Sequence, residues 1–226
     1  MSGLSEAICR TDALLVDFDG PVCSVFAGYP ASTVAGELWD FLAGQGVSLP
    51  PSLAHGSDPL QVLRWVGEHS PGLVRATEDL LTMAETRAVE VATPTKYAAD
   101  VIAAAPSGGR RVAIVSNNSE AAIARYLALH NLTASISLVA GRAYGEPALM
   151  KPHPDVVVRA LQGLGRPPDA CVLVGDSPAD MMAARTAGVR AVGYAKAEDR
   201  IAGLVDAHAA IVIRNLRDLA QALSAQ

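Results

Sequence analysis

The segment ALLVDFDGP, residues 13–21, decides the predicted fold of this chain. Four apolar residues are followed at once by Asp17, a phenylalanine, Asp19, a glycine and a proline. A short apolar run that stops in this way is typical of a buried strand that ends in a loop. Side chains alternate along a strand, so Asp17 and Asp19 can point the same way. Two close carboxylates repel each other, and such a pair usually needs a metal ion or a proton between its members.

Two later segments repeat this pattern. Residues 111–115 (RVAIV) run into the polar residues 116–118 (SNN), and residues 171–174 (CVLV) run into residues 175–180 (GDSPAD). Helical patterns follow both, so strands and helices alternate from residue 111 onward. The alternation predicts an α/β fold with a Rossmann-like parallel sheet and helices on both faces. Ligands bind at the carboxyl ends of such strands, so we expect the polar clusters to converge there.

Residues 24–92 interrupt the alternation with helical patterns and no convincing strand. The three helical patterns cover residues 31–42, 59–68 and 73–91. We predict that residues 23–92 form an inserted helical cap domain. Residues 1–22 and 93–226 would form the core domain, and the length of 226 residues allows both.

Composition narrows the class of protein. Half of the residues are hydrophobic and 18% are charged, which predicts a sizeable buried core. The net charge of −5 disfavours nucleic acid or an anionic membrane as a partner. Three widely spaced cysteines without a Cys-x-x-Cys pair suit a reducing compartment. With no signal-peptide pattern and no apolar run of membrane-spanning length, we expect a cytoplasmic protein.

Taken singly, the polar clusters have ordinary structural explanations. Asp17 and Asp19 also suit a solvated turn. Asp176 and Asp180 also suit an acidic helix N-terminus, which the helix dipole favours. Residues 116–118 suit a cap and turn, although a hydroxyl and free N–H groups at a helix N-terminus also form a phosphate site.

The order of the clusters is more specific than any one of them. An acidic pair, a serine, a lysine flanked by prolines and a second acidic pair follow one another, each at or near a predicted strand end. In this order they resemble the four motifs of the haloacid dehalogenase superfamily. The matching residues are Asp17-x-Asp19, Ser116, Lys151 and Gly175-Asp176-x-x-x-Asp180. The helical insertion resembles the small helical cap of the phosphoglycolate phosphatase-like branch, so the resemblance covers nearly the whole chain.

The resemblance implies a phosphatase that hydrolyses a small phosphorylated metabolite. Asp17 would attack phosphorus and form an aspartyl-phosphate, which divides one difficult displacement into two easier ones. Asp19 would protonate the leaving alcohol and then take a proton from the hydrolytic water. An acid at position 19 favours phosphoryl transfer over dehalogenation, because a halide leaving group needs no proton.

The resemblance also implies a Mg²⁺ cofactor, since hard oxygen ligands suit that ion. Asp17, the backbone carbonyl of Asp19 and Asp176 would hold it together with water. Asp180 would stand behind these ligands and position a metal-bound water.

For the phosphate oxygens, the resemblance implies contacts from Ser116, from the backbone N–H of Asn117 and from Lys151. One position departs from the family pattern, because Pro21 stands where the family usually has threonine. Proline has neither a hydroxyl nor a backbone N–H. Any hydrogen bond that this position donates must therefore be lost or supplied by water, although we expect the reaction class to be retained.

The insertion would close over the substrate and exclude water between the chemical steps. His55, Arg64 and Arg75 are candidate substrate contacts, but each suits a solvated helix face or loop at least as well, and we do not assign them to the site. Neither the substrate nor the choice between monomer and homodimer follows from the sequence.

Two other functions stay open at this point. A phosphomutase similar to the β-phosphoglucomutase branch would share the core and the cap type, and would pass the phosphoryl group from Asp17 to another hydroxyl. A catalytically silent phosphate-binding module would keep the pocket without the reaction. A signalling receiver also uses a phospho-accepting aspartate, but receivers are shorter and lack a helical insertion.

Overall fold

The structure of the protein, a computed structural model, describes residues 3–9, 11–48, 50, 53 and 58–225. The strands are β1 (Ala13–Val16), β2 (Cys23–Ser24), β3 (Thr93–Pro94), β4 (Arg111–Val115), β5 (Leu138–Ala140), β6 (Cys171–Gly175), β7 (Arg190–Tyr194) and β8 (Ile211–Ile213). The helices are α1 (Gly3–Cys9), α2 (Ala31–Gly44), α3 (Pro59–His69), α4 (Val74–Val89), α5 (Ala98–Ser107), α6 (Glu120–Leu129), α7 (Asp155–Leu164), α8 (Pro178–Thr186), α9 (Arg200–Asp206) and α10 (Leu216–Ser224). Within these described ranges, no helix is both long and apolar enough to cross a membrane.

The main sheet has six strands in the order β5-β4-β1-β6-β7-β8, and all adjacent pairs are parallel. β1 lies in the middle, where Val16 pairs with Ile114 on one side and with Val174 on the other. The carboxyl ends of β1, β4 and β6 therefore lie side by side. The polar residues that follow these three strands meet at one edge of the sheet.

Helices cover both faces of this sheet, as the sequence predicts. Leu14 and Val16 point into the core formed with α1, α5, α6 and α10. Ala13 and Leu15 point to the opposite face and pack with α7, α8 and α9. The apolar strand runs are explained by this arrangement, because a strand covered on both faces has no side that must be polar. The predicted α/β class is confirmed.

The segment between β1 and β4 contains the predicted helical insertion, α2 to α4. These helices enclose a separate apolar core that includes Leu38, Leu63 and Leu81. α3 begins at a regular N-cap, because Asp58 accepts from the N–H of Leu60 (2.9 Å) and a proline occupies the first helical position. Met150, which precedes the motif lysine, joins the core of the insertion. The insertion and the loop that carries the motif lysine are therefore in direct apolar contact.

A small hairpin lies at the base of the insertion. β2 and β3 pair antiparallel, with Cys23 opposite Pro94 and Ser24 opposite Thr93. The expectation of no strand from Ser24 onward is wrong at this residue. Two-residue strands that pair across 70 positions carry no periodic signal, so the sequence alone could not reveal them.

α3 also makes a close contact with the turn that precedes the motif lysine. A Cβ atom at Gly67 would lie 2.6 Å from Cγ of Pro147, closer than real Cβ contacts occur. Only glycine allows the helix and this turn to lie so near each other.

Candidate active site

The sheet places Asp17 among the polar residues that follow the neighbouring strands. The N–H of Asp17 donates to the carbonyl of Val174 (2.9 Å), so the ladder between β1 and β6 continues as far as this residue. The N–H of Ser116 donates to the carbonyl of Ala140 (3.0 Å) in the same way. Asp17 and Ser116 are both buried. Regular backbone pairing thus fixes both side chains at one edge of the sheet.

Lys151 reaches this edge from the loop after β5. Its ammonium group donates to Asp17 Oδ1 (2.7 Å), to Asp180 Oδ1 (2.5 Å) and to the carbonyl of Val115 (3.1 Å). These three partners match the three donors of an ammonium group. Asn117 fixes the loop, because its Oδ1 accepts from the Lys151 N–H (2.8 Å) and its Nδ2 donates to the Lys151 carbonyl (3.2 Å).

Asp17, Asp176 and Asp180 offer carboxylate oxygens that all lie within 4.8 Å of one another. We call these three residues together with Lys151 the aspartate cluster. Two ligands on opposite sides of one Mg²⁺ ion lie about 4.2 Å apart, twice the usual Mg–O distance. The donor set therefore suits a small, hard cation. Asp180 is also bonded to Lys151 and to the Ser177 hydroxyl (2.6 Å), so Asp17 and Asp176 have the freer oxygens.

Two glycines make the close approach of these acids possible. Gly20 has φ +117°, and a Cβ there would lie 2.2 Å from Asp176 Oδ2. A Cβ at Gly175 would lie 2.4 Å from Cβ of Asp180. Both positions exclude larger residues, because backbone and carboxylate are already in contact.

Burial and mutual repulsion raise the pKa values of the carboxyl groups. The pKa of Asp17 lies well above its ordinary value, mainly because the group is desolvated and also because Asp180 is close. Desolvation and Asp180 likewise raise the pKa of Asp176 to about 6. Burial lowers the pKa of Lys151, but Asp17 and Asp180 more than offset this, and its net pKa is raised. The cluster thus has an excess of acid that a proton or a cation would relieve.

Asp19 lies beside the aspartate cluster and is held separately. Its Oδ1 accepts from the N–H of Val25 (3.0 Å), a residue that follows the β2 strand. Desolvation raises the pKa of Asp19 above its ordinary value, although the hydrogen bond from Val25 opposes this. The Asp19 side chain therefore retains a proton more readily than a free aspartate does.

Ser116 is oriented by a residue two positions later. Its Oγ donates to Asn118 Oδ1 (3.1 Å) and accepts from the Asn118 N–H (3.2 Å). Ser119 caps α6, since its Oγ accepts from the N–H of Ala122 (3.4 Å). We call residues 116–119 the serine loop. The predicted contact from the Asn117 backbone N–H to phosphate stays a prediction.

The predicted site residues line one pocket of about 380 Å³. Its wall consists of Asp17, Asp19, Phe26, Ala31, Asp58, Leu60, Arg64, Ser116, Asn117, Asn118, Lys151, Asp176, Ser177, Ala179 and Asp180. Of the candidate contacts from the insertion, Arg64 lies in this wall and donates to the Lys151 carbonyl (2.7 Å). Arg75 instead lies over the ring of Tyr144 (5.9 Å). His55 lies outside the described residues.

Pro21 lies against the apolar core. It lines a small cavity together with Val16, Val101 and Leu216. A hydroxyl does occur beside this turn, because Thr95 Oγ1 donates to the carbonyl of Gly20 (2.6 Å).

A second buried group of charges, which the sequence did not predict, lies behind the serine loop. Arg142 donates to Glu78 (2.8 Å) and to Glu85 (2.9 Å), and all three side chains are 3% exposed or less. We call these residues the arginine cluster. Glu78 and Glu85 lie on the buried face of α4 together with Leu81. Two acids seven positions apart on an apolar helix face were the available signal.

Comparisons with known proteins agree with this geometry. The sequence profile of the haloacid dehalogenase-like hydrolases matches residues 11–188. Protein CbbY of Rhodobacter capsulatus is 40% identical over 100 residues, which is 42% of this chain and 42% of that protein. A phosphoglycolate phosphatase of Aquifex aeolicus is 35% identical over 100 residues, which is 42% of this chain and 46% of that protein. The chain therefore matches less than half the length of these curated relatives.

A solved structure extends the likeness to nearly the whole chain. A HAD family hydrolase from Deinococcus radiodurans R1, determined with bound phosphate and sodium, has a TM-score of 0.63 and 26% sequence identity, and the match covers 96% of each chain. Together with the profile match over residues 11–188, this settles the class. The chain belongs to the haloacid dehalogenase-like hydrolases.

Proposed function

We propose that the protein is a Mg²⁺-dependent phosphatase that hydrolyses a small phosphorylated metabolite through an aspartyl-phosphate on Asp17. The observation that carries the proposal is the position of Asp17, which lies within hydrogen-bonding distance of Lys151 (2.7 Å) and in one group of carboxylates with Asp176. A carboxylate held beside a fixed cation, in a pocket, suits a nucleophile for a phosphoryl group. The curated relative named phosphoglycolate phosphatase supports the same reaction class.

In the first step, an oxygen of Asp17 bonds to phosphorus and the bond from phosphorus to the ester oxygen breaks. Asp19 gives its proton to the departing oxygen, which leaves as an alcohol. The burial that raises the pKa of Asp19 supports this role, because a general acid must hold its proton until the transition state.

In the second step, Asp19 accepts a proton from water, and the water oxygen bonds to phosphorus. The bond between phosphorus and Asp17 breaks, and inorganic phosphate leaves. Asp17 is again a carboxylate and Asp19 again holds its proton, so the cycle neither consumes nor produces anything beyond water, ester, alcohol and phosphate.

A bound Mg²⁺ would supply positive charge to the phosphoryl oxygens and would offset the excess of acid in the aspartate cluster. Asp17, the backbone carbonyl of Asp19 and Asp176 would hold it, with Asp180 behind them. Ser116, the Asn117 N–H and Lys151 would hold the remaining phosphate oxygens.

The substrate enters this proposal only as a class. The pocket of about 380 Å³ suits a small metabolite. Residues 23–92 would act as a cap over residues 1–22 and 93–226, and Arg64 is the described cation of the insertion that lines the pocket. The acidic net charge of −5 supports neither nucleic acid nor a membrane as a partner.

The test is a screen for release of inorganic phosphate from sugar phosphates, phosphoglycolate and nucleotides, with and without Mg²⁺. Asp17→Asn is expected to lower the rate on the best substrate by on the order of 10⁴-fold or more, because no nucleophile remains. Asp100→Asn is the matched control, since Asp100 is exposed on α5. A rate that survives in Asp17→Asn would contradict the proposal, and isomerisation of a sugar phosphate without phosphate release would favour the phosphomutase.

A further inference from the structure

Glu85 of α4 is buried, yet it contacts the serine loop rather than the pocket. Its Oε1 accepts from Asn118 Nδ2 (3.2 Å), and its Oε2 accepts from the N–H of Ser119 (2.9 Å). Arg142 balances its charge by donating to Oε1 (2.9 Å). One carboxylate of the insertion thus holds two positions of the loop that follows β4.

This carboxylate determines which way the Asn118 amide points. An ionised carboxylate only accepts hydrogen bonds, whereas an amide has one donor end and one acceptor end. Asn118 must therefore present Nδ2 to Glu85, and its Oδ1 then faces Ser116. The Ser116 hydroxyl donates to that Oδ1 (3.1 Å) and accepts from the Asn118 N–H (3.2 Å). A glutamine at position 85 has a single acceptor oxygen, so it cannot accept from both the Ser119 N–H and Asn118 Nδ2. The Asn118 amide can then turn over, and Ser116 loses this arrangement.

We propose that Glu85 is a positioning residue that holds Asn118 in place, so that the Asn118 N–H fixes the Ser116 oxygen beside the phosphate site. The hydrogen of the Ser116 hydroxyl rests on Asn118 Oδ1 and turns to a phosphate oxygen when phosphate binds. The inference rests on the proposed function, since it takes Ser116 as a phosphate ligand. Arg142 serves as the counterion and also donates to the Asn117 carbonyl (2.7 Å), so the same ion pair supports consecutive residues of the serine loop. A helix of the insertion is in this way part of the phosphate pocket without touching the substrate.

Glu78 offers a matched control on the same helix. It is buried and accepts from Arg142 Nε (2.8 Å), but its second oxygen accepts from the N–H of Gly145 (2.6 Å) rather than from the serine loop. Glu78→Gln therefore removes the same charge from the same arginine and leaves the contact between Glu85 and Asn118 in place.

The experiment uses inorganic phosphate as the probe. Its inhibition constant, with kcat and KM for p-nitrophenyl phosphate in Mg²⁺, is measured for the wild type and for Glu85→Gln, Glu78→Gln and Asn118→Ala. Glu85→Gln and Asn118→Ala are expected to raise the inhibition constant roughly 10- to 100-fold, the range for a lost hydrogen bond to a charged group. Glu78→Gln is expected to keep the wild-type value. The double variant of Glu85 and Asn118 is expected to have the same inhibition constant as the single variant that binds phosphate more weakly. The two substitutions should not add, because both residues act on Ser116 by one route.

Several results would overturn the inference. These are an unchanged phosphate inhibition constant in Glu85→Gln, equal losses in Glu85→Gln and Glu78→Gln, and additive losses in the double variant. If Glu85→Gln does not fold, Asn118→Ala decides, and unchanged phosphate binding there overturns the inference. If the wild type hydrolyses p-nitrophenyl phosphate and is inhibited by phosphate, and the variants show the same values, this inference alone is overturned. If the wild type neither hydrolyses p-nitrophenyl phosphate nor is inhibited by phosphate, the proposed function is overturned as well.

Discussion

The aspartate cluster and the arginine cluster are both buried groups of charges, but they differ in how far their acids are satisfied. In the arginine cluster the guanidinium group of Arg142 donates to two carboxylates, those of Glu78 and Glu85. The backbone N–H groups of Ser119 and Gly145 donate to the same two carboxylates. In the aspartate cluster one ammonium group contacts Asp17 and Asp180, and Asp176 lies beside them without a cation, facing the pocket. The carboxylates of the arginine cluster are thus largely satisfied by their partners, whereas the aspartate cluster has an excess of negative charge.

This difference indicates that the arginine cluster has a structural role, whereas the aspartate cluster is a candidate active site. Buried charges that are paired and hydrogen-bonded hold their surroundings in place, and the loss of one partner is costly. Acids that repel one another and face a pocket instead invite a cation or a proton. Removal of Arg142 should therefore mainly lower the stability of the protein. Removal of Lys151 should mainly lower its activity.

The largest expected effect is the loss of stability in Arg142→Leu. The substitution leaves Glu78 and Glu85 buried without a cation, and breaking a buried pair costs about 3–5 kcal/mol. Urea unfolding followed by circular dichroism measures the change. A loss below about 1 kcal/mol, the value of an exposed pair, would remove the distinction between the two clusters.

Lys151→Met comes next and acts on activity. The variant lacks the cation beside Asp17, and loss of one such electrostatic contact lowers kcat/KM by roughly 10²- to 10³-fold. The free energy of unfolding should change less than in Arg142→Leu, because the carboxylates can take up Mg²⁺ or a proton through the pocket. A stability loss equal to that of Arg142→Leu would contradict this view.

The third prediction concerns Mg²⁺ and pH. Asp176 has a pKa raised to about 6 from an ordinary 3.8. Between these values the native state binds more protons than the unfolded state, so the metal-free protein loses stability as pH rises through this window. Mg²⁺ binds the ionised form, and at 100 times its Kd it should raise Tm by roughly 5 °C at pH 7.5 and by less at pH 5.5.

Differential scanning fluorimetry with Mg²⁺ and with EDTA measures these shifts. Asp176→Asn should lose the Mg²⁺-dependent shift, whereas Arg142→Leu should keep it, because Arg142 is not near the proposed Mg²⁺ ligands. A Tm that Mg²⁺ raises equally at both pH values would count against the acidic cluster as its binding site.

The smallest effect is expected for Arg125→Gln. Arg125 pairs with Glu90 (2.8 Å), but the two side chains are 48% and 50% exposed. Such exposed pairs contribute about 0–1 kcal/mol, so urea unfolding should show little change. A loss that approaches that of Arg142→Leu would show that burial is not what distinguishes the arginine cluster.

Much of the fold could be predicted because the signals were local. β1 and β4 were predicted at the bounds that they have, since both are short apolar runs that stop at polar residues. α5 was not predicted, because its Ala-rich sequence with Pro106 near the end has weak periodicity. The β2–β3 hairpin depends on pairing between distant residues, which no local pattern carries.

The site divides in the same way. The order of the motifs predicted that Asp17, Ser116 and Lys151 lie together, because parallel strands bring their carboxyl ends to one edge. The link from Glu85 to Asn118 joins residues 33 positions apart, on a helix and a loop that the sequence gives no reason to pair. The sequence shows only that a charged residue, Glu85, lies on the apolar face of a helix.

The contact between Gly67 and Pro147 has one more consequence. With hydrogen alone at position 67, the helix lies closer to the turn than any other side chain allows, and a Cβ would lie 2.6 Å from the proline ring. The size of this single residue therefore sets how closely α3 approaches the turn at Pro147, without altering any group that reacts. A side chain there acts as a spacer, and a crystal structure of Gly67→Ala would measure how far α3 moves from the turn.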